Sequence, residues 1–261
     1  MESKKAADEI RQNWANPEST ISFLGASKLY DHYGGVLKRK KIEDILAGFE
    51  SYSLQKEERS SGHIYDGYSL PTWIDNIVEI DSFQLSTELV ASNLDVGHIL
   101  CGINTFSKRL FAIPLIKRDS ESGLKAIKQI FRLSKTLPDF IVSDQVFFIL
   151  LLISATAGSL SLISQGLSGS VWLYLALSGS NCNIQGGECS SKLIQNYLRS
   201  RGVQPVTVSG RHKAASVERV QRTLQKRIYT YLNELQTNCF IPVLSDLVFN
   251  YNSTKHSTIK W

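Results

Sequence analysis

Trp73-Ile74-Asp75-Asn76-Ile77-Val78-Glu79-Ile80-Asp81 is an apolar, β-branched run that closes on an acid. The same construction recurs in Phe140-Ile141-Val142-Ser143-Asp144, and a third acid, Glu218, stands in Ala215-Ser216-Val217-Glu218-Arg219 where a basic helical stretch begins. A carboxylate at the end of a buried strand is held rigidly. Three of them brought together offer hard oxygen ligands to two divalent cations, the arrangement suited to phosphodiester cleavage or transfer. Taken singly, each acid has a plainer use. A strand-end Asp forms turns or caps helices, and Glu218 has Arg222 four residues on as a helix-surface partner.

Outward from the first run, the pattern predicts strands over Asn76–Phe83, His98–Ile103 and Arg109–Leu115, close enough together to form an antiparallel meander. Leu124, Ile127, Ile130, Phe131 and Leu133 then recur at helical spacing between Glu121 and Thr136, and Phe140–Ser143 follows as a short buried strand. Further on, helices are predicted over Ser190–Arg201, Ala215–Gln236 and Pro242–Tyr251, with a short β-rich piece at Val203–Val208.

The N-terminal part has a different texture. The opening to about Pro17 is polar and predicts at most light helicity. Thr20 is placed to cap a helix carrying Ile21, Leu24, Leu29 and Tyr30, ended by Gly34-Gly35. The basic run Lys38-Arg39-Lys40-Lys41 leads into a second amphipathic helix with Ile42, Ile45, Leu46 and Phe49. Two short helices around a cationic glycine turn form either a helix-turn-helix DNA-binding unit or a packed pair with a solvated basic turn. Residues 53–70 are polar, with Ser60-Ser61-Gly62, and predict a linker.

Between Asp144 and Glu218 lies a segment of another character. From Gln145 to Gly187 no residue is charged, and Val146-Phe147-Phe148-Ile149-Leu150-Leu151-Leu152-Ile153 is strongly apolar. Removing Val146 through Gln185 joins the flanks as Ile-Val-Ser-Asp-Gln-Gly-Gly-Glu-Cys, a strand running into a glycine turn. Translated non-coding sequence, such as a retained intron, accounts for the missing charge, the abrupt edges and the restored motif together. A membrane segment is the second reading, since Val146–Ile163 meets the length for a span. A single span there would put Glu218 across the bilayer from Asp144. A soluble elaboration is the third, and so apolar a loop must pack or aggregate.

The chain's 261 residues accommodate one catalytic domain with a small appendage. A net charge of +5, from 29 basic and 24 acidic side chains, is compatible with a polyanionic partner without requiring one. Cys101, Cys182, Cys189 and Cys239 are scattered, with none of the close pairs that zinc or thiol-redox sites use, so free thiols in a reducing compartment are expected. His32, His63, His98 and His256 lack ligand spacing. The charged N-terminus is not a signal peptide, and an intracellular protein is expected.

Four pieces together resemble the catalytic core of retroviral-type integrases. They are Glu79-Ile80-Asp81, Ile103-Asn104-Thr105-Phe106-Ser107-Lys108-Arg109, Val142-Ser143-Asp144, and Lys213-Ala214-Ala215-Ser216-Val217-Glu218-Arg219-Val220-Gln221-Arg222-Thr223-Leu224. The resemblance spans residues 72–260. That family separates its second Asp from its Glu by about thirty-five residues. Seventy-three stand between Asp144 and Glu218 here, and thirty-three remain once 146–185 is removed. The healed Asp-Gln-Gly-Gly-Glu-Cys resembles the family's Asp-x-Gly-x-Glu-aromatic turn, with Cys189 in the aromatic position. Glu188 lies in that turn, and the third-ligand role falls to Glu218. Leu24-Gly25-Ala26-Ser27-Lys28-Leu29-Tyr30 and Tyr52-Ser53-Leu54-Gln55-Lys56 resemble integrases of cellular transposable elements of the Polinton or Maverick type. A His-His-Cys-Cys zinc module is not seen.

The resemblance implies an α/β, ribonuclease-H-like mixed sheet flanked by helices, with a small N-terminal helical region and a hydrophobic insertion. The domain expectation is a helical region over 1–60, a linker over 61–71, and an integrase-like core over 72–261 with the insert at 146–185. It implies DNA integration by metal-dependent strand transfer, with Asp81, Asp144 and Glu218 holding two Mg2+ or Mn2+ ions and Asp81 lying between them. Arg211, Lys213, Arg219 and Arg222 are the expected DNA contacts, neutralising phosphates without reading bases. For Lys226 and Arg227 the expectation is a solvated helix face. DNA is the expected partner, with a homo-oligomer when functional, the nucleus as location, and membrane contact only if 146–177 is genuine. The chain stops at Trp261, soon after a stretch resembling the core's closing helix, so a further C-terminal DNA-binding domain is expected to be missing. The chain as written is expected to transfer strands weakly or not at all. The alternatives are a decayed or domesticated element's DNA-binding domain without catalysis, and a nuclease on the same fold.

Overall fold

The computed structural model describes residues 2–55, 77–134, 136–144, 187–208 and 214–256. Its centre is a five-stranded mixed sheet in the order β3-β2-β1-β4-β5. β1 (Ile77–Gln84), β2 (His98–Asn104) and β3 (Leu110–Leu115) form the predicted antiparallel meander, with Asp81 opposite Cys101 and Cys101 opposite Ala112. β4 (Phe140–Asp144) lies parallel to β1, and β5 (Gln204–Val208) parallel to β4. These strands carry the β-branched and aromatic residues that suit a pleated surface buried on both sides.

Among the described residues, four helices precede the sheet: α1 (Glu2–Asn13), α2 (Ala26–His32), α3 (Arg39–Ala47) and α4 (Glu50–Leu54). α5 (Thr87–Ser92) connects β1 to β2, α6 (Ser120–Leu133) connects β3 to β4, and α7 (Gly187–Ser200) precedes β5. α8 (Ala215–Glu234) and α9 (Leu244–Ser253) follow, separated by a 3-10 turn at Ile241–Val243. This is an α/β fold with a mixed sheet flanked by helices, as expected. Residues 61–71, the insert at 146–185, and Arg211 and Lys213 lie outside the described residues. Among the described residues, no helix is long and apolar enough to cross a membrane.

Each face of the sheet has its own core. On one, Ala126, Ile127 and Ile130 of α6 meet Val78, Ile80, Leu100 and Phe111, together with Ile194 and Leu198 of α7. The Asp119 carboxylate caps α6 by accepting from Ser122 N at 2.8 Å, which explains the start of this helix. Gly102 allows close approach there, since a Cβ on it would stand 3.2 Å from Ile130 Cδ1. On the other face, α8 lays Val217, Val220, Leu224 and Ile228 over Ile99, Cys101 and Ile103. Ile10, Leu29, Ile42 and Leu46 of the first three helices belong to that same core. Each such aliphatic side chain contributes roughly 1.5–3 kcal/mol on burial.

The N-terminal part departs from expectation in two places. The polar opening is a full helix, α1, with Ala6, Ala7 and Ile10 inside. α2 begins at Ala26 rather than near Thr20, because the intervening chain wraps Trp14. The Trp14 indole is buried, donates to Leu24 O at 2.9 Å, and packs against Phe49 at 4.5 Å and Phe23 at 5.6 Å between centroids. Phe23, at φ 52, turns the backbone so that its N–H donates to Trp14 O at 3.0 Å. Two short helices, α4 and α5, also went unpredicted. α4 runs to Leu54, two residues into the segment read as a linker.

Side-chain amides tie the connections down. The Asn93 side chain donates to Leu89 O at 2.7 Å and Asn238 O at 2.6 Å, and accepts from Phe240 N at 2.8 Å and Ile241 N at 3.1 Å. Asn252 of α9 accepts from Leu110 N at 2.8 Å and donates to Leu110 O at 2.9 Å, covering part of the outer edge of β3 with a side-chain imitation of strand pairing. Asn252→Ala is expected to cost about 1–2 kcal/mol in urea unfolding, since water reaches the edge and replaces only part of what is lost.

Candidate active site

β1 is central in the sheet, which is why its first four residues, Ile77 to Ile80, are buried and why Asp81 is the first to meet solvent. Side chains alternate along it. Val78 and Ile80 enter the α6-side core, whereas Glu79 meets the N-terminus of α8. The Asp81 carboxylate accepts from Ser82 N at 2.8 Å. Its negative charge adds to the effect of burial on the Cys101 thiol, whose pKa is pushed well up and which therefore stays neutral. Burial lowers the pKa of the Arg118 guanidinium, and the Asp81 charge opposes that shift.

Asp144 is the last residue of β4. The parallel register pairs Ile80 with Ser143, so the backbone of Asp144 lies one step farther along, beside that of Asp81. Glu218 stands in the first turn of α8, where its N–H donates to Ala214 O at 3.2 Å. That turn is fastened to β1. Glu79 Oε2 accepts from Ser216 N at 2.9 Å and Val217 N at 3.1 Å, immediately before Glu218 in sequence and two residues before Asp81 on the strand. A carboxylate at a helix N-terminus satisfies orphan N–H donors and opposes the helix dipole.

Glu79 had no assigned role in the sequence. Its signal was the presence of a charged side chain inside an otherwise apolar strand, where it requires a partner. Burial raises its carboxyl pKa, while the two helix N–H groups and Lys108 work in the opposite direction. Lys108 sits at φ 57 in the turn between β2 and β3, an unusual backbone setting for a non-glycine residue. The turn is organised by Asn104, whose Oδ1 accepts from Phe106 N at 3.0 Å and Ser107 N at 2.8 Å.

The expected DNA contacts on α8 divide between two flanks. Arg222 is exposed and lies one helical turn beyond Glu218. Arg219 instead lines a cleft against the N-terminal helices and the end of α9. Among the described residues there is no cluster of three His, Cys, Asp or Glu side chains arranged to hold a metal, and the Asp144 side chain is outside that set. As donors, three carboxylates suit hard divalent cations such as Mg2+ or Mn2+.

The strand order, the antiparallel β1-β2-β3 meander and the parallel β4 and β5 define a ribonuclease-H-like α/β fold. Among solved structures, a chain of the simian T-cell lymphotropic virus intasome, determined in complex with PP2A regulatory subunit B56 gamma, superposes with a TM-score of 0.52. Identity is 13%, over 93% of this chain and 66% of that one, so this chain spans just under two thirds of its length. The likeness is one of fold, and the fold is integrase-like. No protein-family model and no curated protein sequence matches.

Proposed function

We propose that this chain is the catalytic core of a DNA integrase derived from a mobile element of the Polinton or Maverick type, built for metal-dependent strand transfer in the nucleus. The observation that carries this reading is the convergence of three segments. Asp81 and the backbone of Asp144 are neighbours on parallel strands, and the turn bearing Glu218 is pinned to β1 through Glu79. Two divalent cations held by Asp81, Asp144 and Glu218 would supply activation of an attacking hydroxyl and neutralisation of charge at the phosphate. The protein's own part is positional. β1 and β4 bring Asp81 and the backbone of Asp144 side by side on the sheet, α8 would deliver the third carboxylate, and Arg222 on the Glu218 flank would offer a cation to phosphate oxygens.

The test is a strand-transfer assay with a labelled DNA end and a supercoiled target in Mg2+ or Mn2+, comparing the chain as written with one lacking residues 146–185. Joined product from the shortened chain, with at least tenfold less from the intact chain, is the expected result. If neither joins ends while both bind DNA, the reading passes to a non-catalytic nucleic-acid-binding domain from a decayed or domesticated element. Cleavage without joining would indicate a nuclease.

A further inference from the structure

The flank of α8 facing away from Glu218 borders a cavity of about 590 Å3 that the site above does not use. Ser216, Arg219, Thr223, Lys226, Arg227 and Thr230 line it, a stripe that recurs every three or four residues and excludes both Glu218 and Arg222. The opposite walls come from distant parts of the chain: Gly25, Lys28 and Tyr52 from the N-terminal region, Lys108 from the β2-β3 turn, Tyr251 from α9, and Thr254, Lys255 and His256 from the chain just after it.

The charge of this cavity is one-sided. Lys28, Lys108, Arg219, Lys226, Arg227 and Lys255 contribute six cations, and among the described residues that line it there is no Asp or Glu. Ion pairs among the described residues join Arg11 to Asp8, Arg39 to Glu43 and Lys125 to Glu121, none of them in the cleft. Arg227 is only 7% exposed. It donates to Leu247 O at 3.5 Å and lies 5.7 Å from the centre of the Tyr251 ring, so its charge is held without a carboxylate. Burial brings its pKa down to about 10. Burial also lowers the His256 pKa, and Lys108, Lys28 and Arg219 push it in the same direction, as a positive field does. Glu79 offsets Lys108 from outside the cleft, and the remaining like charges make a positive field that favours entry of an anion.

We propose that this cleft binds the phosphate groups of a single nucleic-acid strand, on the flank of α8 that does not carry Glu218 and Arg222. The volume falls in the range of ligand-sized cavities, about 300–1,000 Å3, and suits a strand rather than a duplex. Cations tracking a backbone, beside aromatic rings such as Tyr52 and Tyr251, are the elements from which single-strand grooves are built. The inference does not rest on the metal site, and it places Lys226 and Arg227 in a binding surface rather than on a solvated helix face.

The experiment is fluorescence anisotropy of the full chain with a labelled single-stranded oligonucleotide of about 16 nucleotides, titrated over a range of salt in EDTA, where metal-dependent chemistry plays no part. Arg219→Gln/Lys226→Gln is compared with Lys125→Gln/Arg132→Gln, which removes the same charge from exposed positions of α6 on the other face of the sheet. The expected result is at least tenfold weaker binding for the α8 pair and a salt slope shallower by ~1.4, from ~0.7 per lost phosphate contact, with the α6 pair close to the parent. If the α8 and α6 pairs bind alike, the proposal is overturned. Should the α8 pair fail to fold, Lys28→Gln serves instead, read by the same comparison against Lys125→Gln. Pyrophosphate is expected to displace the oligonucleotide. If it raises the melting temperature while oligonucleotide binding ignores the cleft variants, the ligand is a free phosphate compound and the strand assignment falls.

Discussion

Asp81→Asn, made in the chain lacking residues 146–185, is expected to abolish metal-dependent strand transfer, with a loss on the order of 10^3-fold, or about 4 kcal/mol of transition-state stabilisation. The exchange is nearly isosteric, and the asparagine oxygen still accepts from Ser82 N, as the carboxylate does at 2.8 Å. Thermal stability should therefore change by no more than roughly 1–2 kcal/mol, since the substitution makes no cavity and its main cost is the loss of the negative charge that offsets the burial of Arg118. What changes is the charge. A carboxylate at Asp81 would help hold divalent cations and offset their charge, and a neutral amide binds a hard divalent ion poorly. Calorimetric titration with Mn2+ gives a readout independent of turnover, in which the parent should show saturable binding that the variant lacks. Equal Mn2+ affinity in the two proteins would remove Asp81 from the metal site and the strand-transfer reading with it.

The sheet was legible because its strands obey local rules. Each is a β-branched run bounded by turn residues, and a run of three such pieces can close only as a meander. Asp81 and Asp144 were legible for the same reason, since each ends a run that has to be buried. The N-terminal helices were harder. α1 is half charged and hides its helical face in Ala6, Ala7 and Ile10, which become a core only once Trp14 and α8 arrive. α2 was placed too early because Ile21 and Leu24 have helical spacing, yet both are buried by turns that wrap Trp14. Periodicity cannot separate a helix from a compact succession of turns when both bury the same residues.

The cleft was illegible for another reason. Its lining is drawn from residues 14–55, Lys108, and the segments 215–230 and 251–256, so no window of sequence contains it. A one-dimensional view of Lys226 and Arg227 saw ordinary helix-surface cations. Only the packing of α8 against α9 shows that Arg227 is enclosed. The Asn93 clamp is hidden in the same way, since its four partners lie at Leu89, Asn238, Phe240 and Ile241.

Glu79 joins the two levels, and its replacement should have the largest effect on stability of any single change near the site. Glu79→Ala leaves the buried N–H of Val217 and the half-buried N–H of Ser216 without their acceptor, and removes the negative charge opposite the α8 dipole, together about 3 kcal/mol in urea unfolding. Glu79→Gln keeps an acceptor oxygen there and should cost less than about 1 kcal/mol near neutral pH. The two variants also separate through pH. Burial raises the folded pKa of Glu79 above the ordinary glutamate range, so in that window the native state holds a proton that the unfolded chain has released. Its contribution is therefore present at low pH and is lost as pH rises through the folded pKa. Glu79→Gln lacks that loss and should gain on the parent as pH is raised from about 4.3, the unperturbed glutamate value. In the shortened chain, Glu79→Ala should also slow strand transfer at least tenfold by releasing the turn that carries Glu218, with glutamine restoring most of the rate. An alanine variant as stable as the parent would show that the helix is held by its apolar face alone, Val217, Val220 and Leu224 sufficing without the strand carboxylate.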